Sequence, residues 1–226
     1  MSLRVECLFA DNEDDLSLRA RRLNRVLSPL APGERLARLR REVAGNIVFV
    51  TGFGIEGQAI VHLIARHSID IDVVTIDSGR LFPETYDLWA ETERRYGRRI
   101  RGFCPSHEYL EILTARQGIN GFRDSRRNRF ACCYVRKVEP LDRALTNAEV
   151  WIAEQHGDPS SYGQNVGAVT ADVERGMLKV NPFFDWTSDA LLEFVAANDI
   201  PVNPLHEKGF MLVGCAPCTP ANELVG

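Results

Sequence analysis

Long apolar runs are missing from this sequence. Segments such as Ile47 to Val50 and Ile71 to Ile76 fall far short of the roughly 20 residues that span a bilayer, so no membrane segment is expected. Residues Met1 to Ala20 are acidic in their middle and do not read as a signal peptide, so the expected compartment is the cytoplasm. Positive charge is also in deficit. Lys and Arg number 27 against 31 Asp and Glu, a formal charge of -4, which leaves no global field to draw nucleic acid or an acidic membrane. Histidine is scarce, with five residues and no HExxH, which removes the usual zinc-hydrolase signature. What remains is an ordinary globular composition: 226 residues, 45% hydrophobic and 26% charged, enough to bury a core of its own.

Periodicity then divides the chain. Leu16 to Val43 reads as two amphipathic helices broken at Pro29, Pro32 and Gly33, so residues 1–44 are expected to be a helical segment packed on the core. Residues 45–226 are expected to be a nucleotide-binding α/β domain, the whole forming a single domain. Ile47 to Val50 reads as a buried strand that enters the glycine loop Thr51 to Gly57, and Ile60, Leu63, Ile64 and His67 follow at helical spacing. Ile71 to Ile76 is a second strand. A helix over Pro83 to Tyr96, a strand near Arg99 to Phe103, a helix over His107 to Arg116, a polar loop and a helix over Val135 to Leu145 continue the alternation. Strands at Glu149 to Ala153 and Met177 to Val180, a helix capped by Thr187 or Ser188, and a loop-rich end from Pro201 complete it. Such alternation argues for a parallel sheet covered by helices on both faces, with binding at the carboxyl ends of the strands.

Two loops at those strand ends are candidates for an anionic nucleotide. Thr51 to Gly57 offers backbone N–H groups ahead of a helix. It matches neither GxGxxG nor GxxxxGK[ST], and the alternative is a plain strand-to-helix turn. Asp77-Ser78-Gly79-Arg80 ends the second strand, where Arg80 suits a phosphate and Asp77 a ribose hydroxyl or adenine amine. The cysteines fall into Cys132-Cys133 and Cys215-x-x-Cys218, with Cys7 and Cys104 alone. Four thiolates suit tetrahedral zinc or a [4Fe-4S] cluster, and adjacent cysteines are unusual for structural zinc, so the spacing favours iron. Arg136 and Lys137 follow the first pair, and Lys137 is the better candidate for work beside it. Arg123, Arg126, Arg127 and Arg129 form a basic cluster that reads as a solvated loop or a phosphate contact.

Taken in order, these residues resemble the assimilatory sulfonucleotide reductases, in their iron–sulfur branch, over about residues 45–220. The resemblance rests on Val50 to Gly57, on Ile76 to Thr85, on Cys132-Cys133-x-x-Arg136-Lys137-x-x-Pro140-Leu141, and on Gly214-Cys215-x-Pro217-Cys218-Thr219. It implies an adenine nucleotide α-hydrolase-like fold. It further implies that Gly52, Phe53, Gly54, Ile55 and Glu56 form a phosphate loop, and that Asp77, Ser78, Gly79 and Arg80 line the same pocket. Cys132, Cys133, Cys215 and Cys218 would hold [4Fe-4S], with Lys137 between cluster and substrate. The implied reaction reduces adenosine 5'-phosphosulfate to sulfite and AMP, with thioredoxin as reductant; a homo-oligomer is compatible with it.

Two departures stand out. Where the family carries an arginine-bearing loop, this chain reads Ala153-Glu154-Gln155-His156-Gly157-Asp158-Pro159-Ser160, and eight residues, none of them cysteine, follow Cys218. The family's nucleophile is a cysteine beyond that point, so the expectation is a chain without its own sulfur-attacking thiolate. An iron–sulfur nucleotide-binding paralogue without reductase activity and a nucleotide-dependent sulfur transferase remain the alternatives.

Overall fold

The computed structural model describes residues 3–154 and 167–220, with side chains of the first helix from Asp15 onward. The chain divides into two compact units. One comprises Met1–Val50, Ile55–Asp72 and Asn147–Ile200; the other comprises Thr51–Gly54, Val73–Thr146 and Pro201–Gly226.

In the first unit, α1 (Leu3–Leu27) and α2 (Pro32–Glu42) are the two expected helices. Leu16, Ala20, Leu23 and Leu27 are buried, spacings of three and four that put them on one stripe. Pro32 stands at the start of α2, and the Ala31 N–H donates to Glu34 Oε2 at 3.2 Å, closing the helix's first turn. β1 (Asn46–Thr51) leads into α3 (Ile55–Arg66), and β4 (Ala148–Ile152), β5 (Val169–Asp172), β6 (Met177–Val180) and α8 (Ser188–Ala197) complete the unit. β1 pairs in parallel with β4 and β4 with β6, with Phe49 opposite Ile152 and Ile152 opposite Val180. All three residues are essentially buried, as strands packed on both faces require.

Arg35 of α2, only 2% exposed, ties this unit together. Its guanidinium donates to Asp185 Oδ1 at 2.6 Å and Oδ2 at 2.5 Å, and to the carbonyls of Leu27, Ser28 and Pro182. Every donor thus has an acceptor, which makes its burial tolerable.

The second unit holds β2 (Asp72–Ile76) from Val73 onward, α4 (Pro83–Tyr96), β3 (Arg101–Phe103), α5 (His107–Gln117), α6 (Arg126–Cys133) and α7 (Glu139–Ala144). β2 pairs in parallel with β3. α4 starts at Pro83 and stops at Gly97, whose φ of 60° ends the helix in the left-handed region. Glu93 fastens that end: its carboxylate accepts from Trp89 Nε1, Ile100 N and Arg99 Nη1 at 3.2, 2.8 and 2.6 Å.

Within the first unit the strands lie in the order β1-β4-β6-β5, and the pairings in both units are mostly parallel, an α/β architecture as expected. β5 is the exception. It runs antiparallel to β6 at the edge and has no counterpart in the sequence reading. A second difference is α6, which occupies part of the stretch read as a polar loop. It buries no residue and is held at its start: Ser125 Oγ accepts from Asn128 N, and Asn128 Nδ2 donates to the Gly121 carbonyl. Among the described residues, no helix is long and apolar enough to cross a membrane.

Candidate functional site

The loop after β1 turns on Phe53, whose φ is 61°, a conformation that non-glycine residues adopt at a cost. Local bonds hold it. Phe53 N donates to Thr51 Oγ1 at 3.0 Å, and Thr75 Oγ1 donates to the Thr51 carbonyl at 2.8 Å. The Phe53 ring is fully buried and stacks on Trp89 at 5.7 Å, so Phe53 can offer a ligand only its backbone. Gly52 is exposed and Gly54 half-buried, whereas Ile55 and Glu56 open α3, with Glu56 8% exposed.

The loop after β2 is built around Asp77 and Ser78. Asp77 Oδ1 accepts from Gly79 N and from Tyr86 Oη, both at 2.8 Å. Burial, with the adjacent Asp77 carboxylate, pushes the Tyr86 phenol up to about 12, so it remains a donor near neutral pH. Gly79, with φ of 68°, lets the chain reverse there. Ser78 faces inward. It is 1% exposed, its carbonyl accepts from Arg136 Nη1 at 2.7 Å, and its Oγ receives the Cys215 thiol at 3.1 Å. Its side chain therefore faces the cysteine side of this loop.

The two cysteine pairs meet in one place. Cys132 and Cys133 end α6, where the helix passes into a wider π-type turn over Tyr134–Val138, a distortion often found at functional sites. Cys215 and Cys218 lie on a turn fastened beside the β2 loop, with Ala216 N donating to the Arg80 carbonyl at 2.8 Å and Leu81 bridging Cys215. A cavity of about 170 Å³ is lined by all four cysteines together with Arg80, Arg129, Arg136 and Lys137. All four thiols are free.

Charge in this cavity is one-sided. Arg136 is 5% exposed, its Nε has no hydrogen-bond partner, and none of the described carboxylates pairs with it. Its guanidinium is pulled below the usual arginine range by burial and by Arg80, with Cys132 and Cys215 acting in the opposite sense. Burial likewise pushes the Cys132 thiol up, against the pull of Arg136 and Arg80. A buried guanidinium without a carboxylate calls for negative charge. Among the described residues, no three His, Cys, Asp or Glu side chains are gathered closely enough to hold one metal ion. A mononuclear tetrahedral centre needs its sulfurs about 2.3 Å from a single point. A cluster that gives each thiolate its own iron makes no such demand.

Arg80 donates to the Ile119 carbonyl and lies 4.9 Å from the Phe122 ring centroid, so it reaches the cavity from a fixed position. Lys137 is exposed at the same rim. The sequence pattern favours Lys137 over Arg136, places Arg129 in the basic loop cluster rather than beside the cysteines, and gives no sign of Tyr86; burial, the deciding property of Arg136, leaves no local mark in a sequence. Most of the substituted arginine-loop segment, residues 155–160, and the side chain of Cys7 lie outside the described residues.

The chain is similar to known proteins over most of its length. The phosphoadenosine phosphosulfate reductase domain family matches residues 46–221. The adenosine 5'-phosphosulfate reductase of Agrobacterium fabrum is 43% identical over 179 residues, covering 79% of this chain and 69% of that protein. That of Sinorhizobium fredii is 42% identical over 206 residues, covering 91% and 82%. Among solved structures, the phosphoadenylyl-sulfate reductase of Candida auris superposes with a TM-score of 0.77 at 23% identity, covering 89% of this chain and 96% of that one. The FMN adenylyltransferase of Candida glabrata does so with a TM-score of 0.56 at 15% identity, covering 91% and 67%. These two likenesses concern the fold. With more than half of its length matched by one domain and its paired cysteines gathered beside the β2 loop, the chain belongs to the phosphoadenosine phosphosulfate reductase domain family.

Proposed function

We propose that this chain acts in sulfate assimilation as an oxidoreductase on adenosine 5'-phosphosulfate, yielding sulfite and AMP, and that its four paired cysteines hold a [4Fe-4S] cluster. The observation that carries the reading is Arg136, buried without a carboxylate against a cavity lined by four thiols. The names of the Agrobacterium and Sinorhizobium relatives support the choice of substrate.

Each group then has a chemical task. Backbone N–H groups of the Gly52 to Gly54 turn receive phosphate oxygens. Gly79 N and Tyr86 Oη fix Asp77 Oδ1, which leaves Oδ2 to accept from a ribose hydroxyl or the adenine amine. Arg80 and Lys137 hold the phosphosulfate anion. Ser78 and Arg136 stand behind them, Ser78 Oγ donating to the Cys215 sulfur once it is a thiolate and Arg136 balancing the thiolates. When bound, the cluster supplies an electrostatic centre beside the sulfo group. A thiolate attacks sulfur as the sulfur–oxygen bond to AMP breaks; a second thiol, from thioredoxin, then displaces sulfite and leaves a disulfide. Cys104 is a poor attacking group, because burial and the Asp77 carboxylate both raise its thiol. The attacking thiolate is therefore assigned to a cysteine outside the described residues or to a thiol co-reactant.

The test is calorimetric binding of adenosine 5'-phosphosulfate to anaerobically purified protein, followed by sulfite release with thioredoxin. Binding that Arg80→Ala weakens roughly tenfold or more, as loss of a charge-assisted contact predicts, supports the reading. Absence of binding, or an affinity indifferent to Arg80→Ala, contradicts it.

A further inference from the structure

A second cavity, of about 610 Å³, opens on the α6 side of the cysteine turn and is lined by Arg123, Arg126 and Arg129, by Phe122, and by Cys218 and Thr219. Its volume falls within the range of small-molecule sites. The charge around it is unlike that of the rest of the chain. The molecule carries a net -4, yet residues 123–129 hold four arginines and one acid, Asp124. None of the four arginines forms an ion pair with a described carboxylate, Asp124 included. Seven other arginines, Arg19, Arg35, Arg38, Arg94, Arg99, Arg143 and Arg175, each meet a carboxylate.

The arginines are also positioned. Arg123 lies over the Phe122 ring at 5.4 Å and Arg126 over Phe130 at 5.6 Å, contacts that restrict the side chains while leaving the guanidinium edges to donate. Ser125 Oγ is engaged by Asn128 N, so the positive character of the cleft comes from the guanidinium groups. Three such groups around one concavity match a ligand of at least two negative charges with several acceptor oxygens, and planar forks suit a tetrahedral oxyanion.

We infer that this cleft is an auxiliary site for a small phosphate- or sulfate-bearing molecule, separate from the nucleotide position proposed above. It is not isolated from the cysteines. Arg129, Cys218 and Thr219 line both cavities, so an anion held here draws on an arginine that also faces the thiols. Its occupancy therefore bears on the charge balance at Cys218.

Calorimetric titration of the anaerobically purified full chain with inorganic phosphate and with pyrophosphate, at low chloride, tests the site. Both anions should bind saturably. Binding should persist in Arg80→Ala, weaken roughly tenfold or more in Arg123→Ala/Arg126→Ala, and recover in part in Arg123→Lys/Arg126→Lys, where charge remains without the fork. AMP titrated into Arg80→Ala identifies the source: tighter binding than phosphate marks a nucleotide, equal binding a free anion. Absence of saturable binding up to roughly 10 mM overturns the inference. So does an unchanged affinity in a double alanine variant whose circular dichroism matches the parent. If instead adenosine 5'-phosphosulfate fails to bind while pyrophosphate binds and responds to Arg123→Ala/Arg126→Ala, the nucleotide reading falls and the auxiliary site stands.

Discussion

Arg35 and Arg136 are almost equally buried, at 2% and 5% exposure, and their surroundings could hardly differ more. Arg35 in the first unit meets a carboxylate and three carbonyls, so its charge is answered within the chain. Arg136 in the second unit meets one carbonyl, leaves Nε unbonded, and faces cysteines. A buried cation with a complete set of partners is a structural tie, whereas one that lacks a counter-charge marks where a negative ligand belongs.

The largest effects should come from removing the thiols that Arg136 faces. Cys132→Ser, Cys133→Ser, Cys215→Ser and Cys218→Ser are each expected to lower the iron content of anaerobically purified protein severely, since each removes a cluster-anchoring thiolate; iron analysis checks it. Next come the two arginines themselves. Arg35→Met should destabilise the protein by about 2 to 4 kcal/mol in chemical denaturation, because it strands Asp185 and three carbonyls. Arg136→Met should leave the iron-free protein as stable as the parent or more so, since it removes an unanswered buried charge, yet should lower iron retention. Equal losses of stability in both variants would break the contrast.

A smaller effect belongs to Glu93. Burial opposes its ionisation, but the bonds from Ile100 N, Arg99 and Trp89 outweigh this and set its carboxyl below the usual range. A lowered folded-state value contributes stability above the unfolded-state value and loses it as pH falls through the folded one. Glu93→Gln should therefore cost about 1 to 2 kcal/mol at neutral pH, with the two proteins converging under acid conditions. The smallest effect is expected for Cys104→Ser: a thiol outside the four-cysteine cavity, with a raised value, should be replaceable without change in iron content or in binding of adenosine 5'-phosphosulfate.

Much of this was legible in the residues. Short continuous apolar runs identified β1 and β2, and helical spacing identified α3, because a buried strand or an apolar helix face writes its constraint locally. The four cysteines declared themselves by spacing. Inward-facing groups did not: Phe53 and Ser78 sit in loops, and their side chains pack against Trp89 and Cys215. α6 went unread because it has no apolar face and depends on Ser125 and Asn128 at its start. β5 went unread because a short edge strand buries only Val169. The different fates of Arg35 and Arg136 arise from partners 150 and 58 residues away, beyond the reach of any local pattern.

Iron, zinc and acid-labile sulfide measured per chain on protein purified without oxygen test the central claim most directly. The account predicts about four irons with matching sulfide and no stoichiometric zinc. One zinc per chain with neither iron nor sulfide would contradict it, since the thiols around Arg136 would then serve a single structural ion.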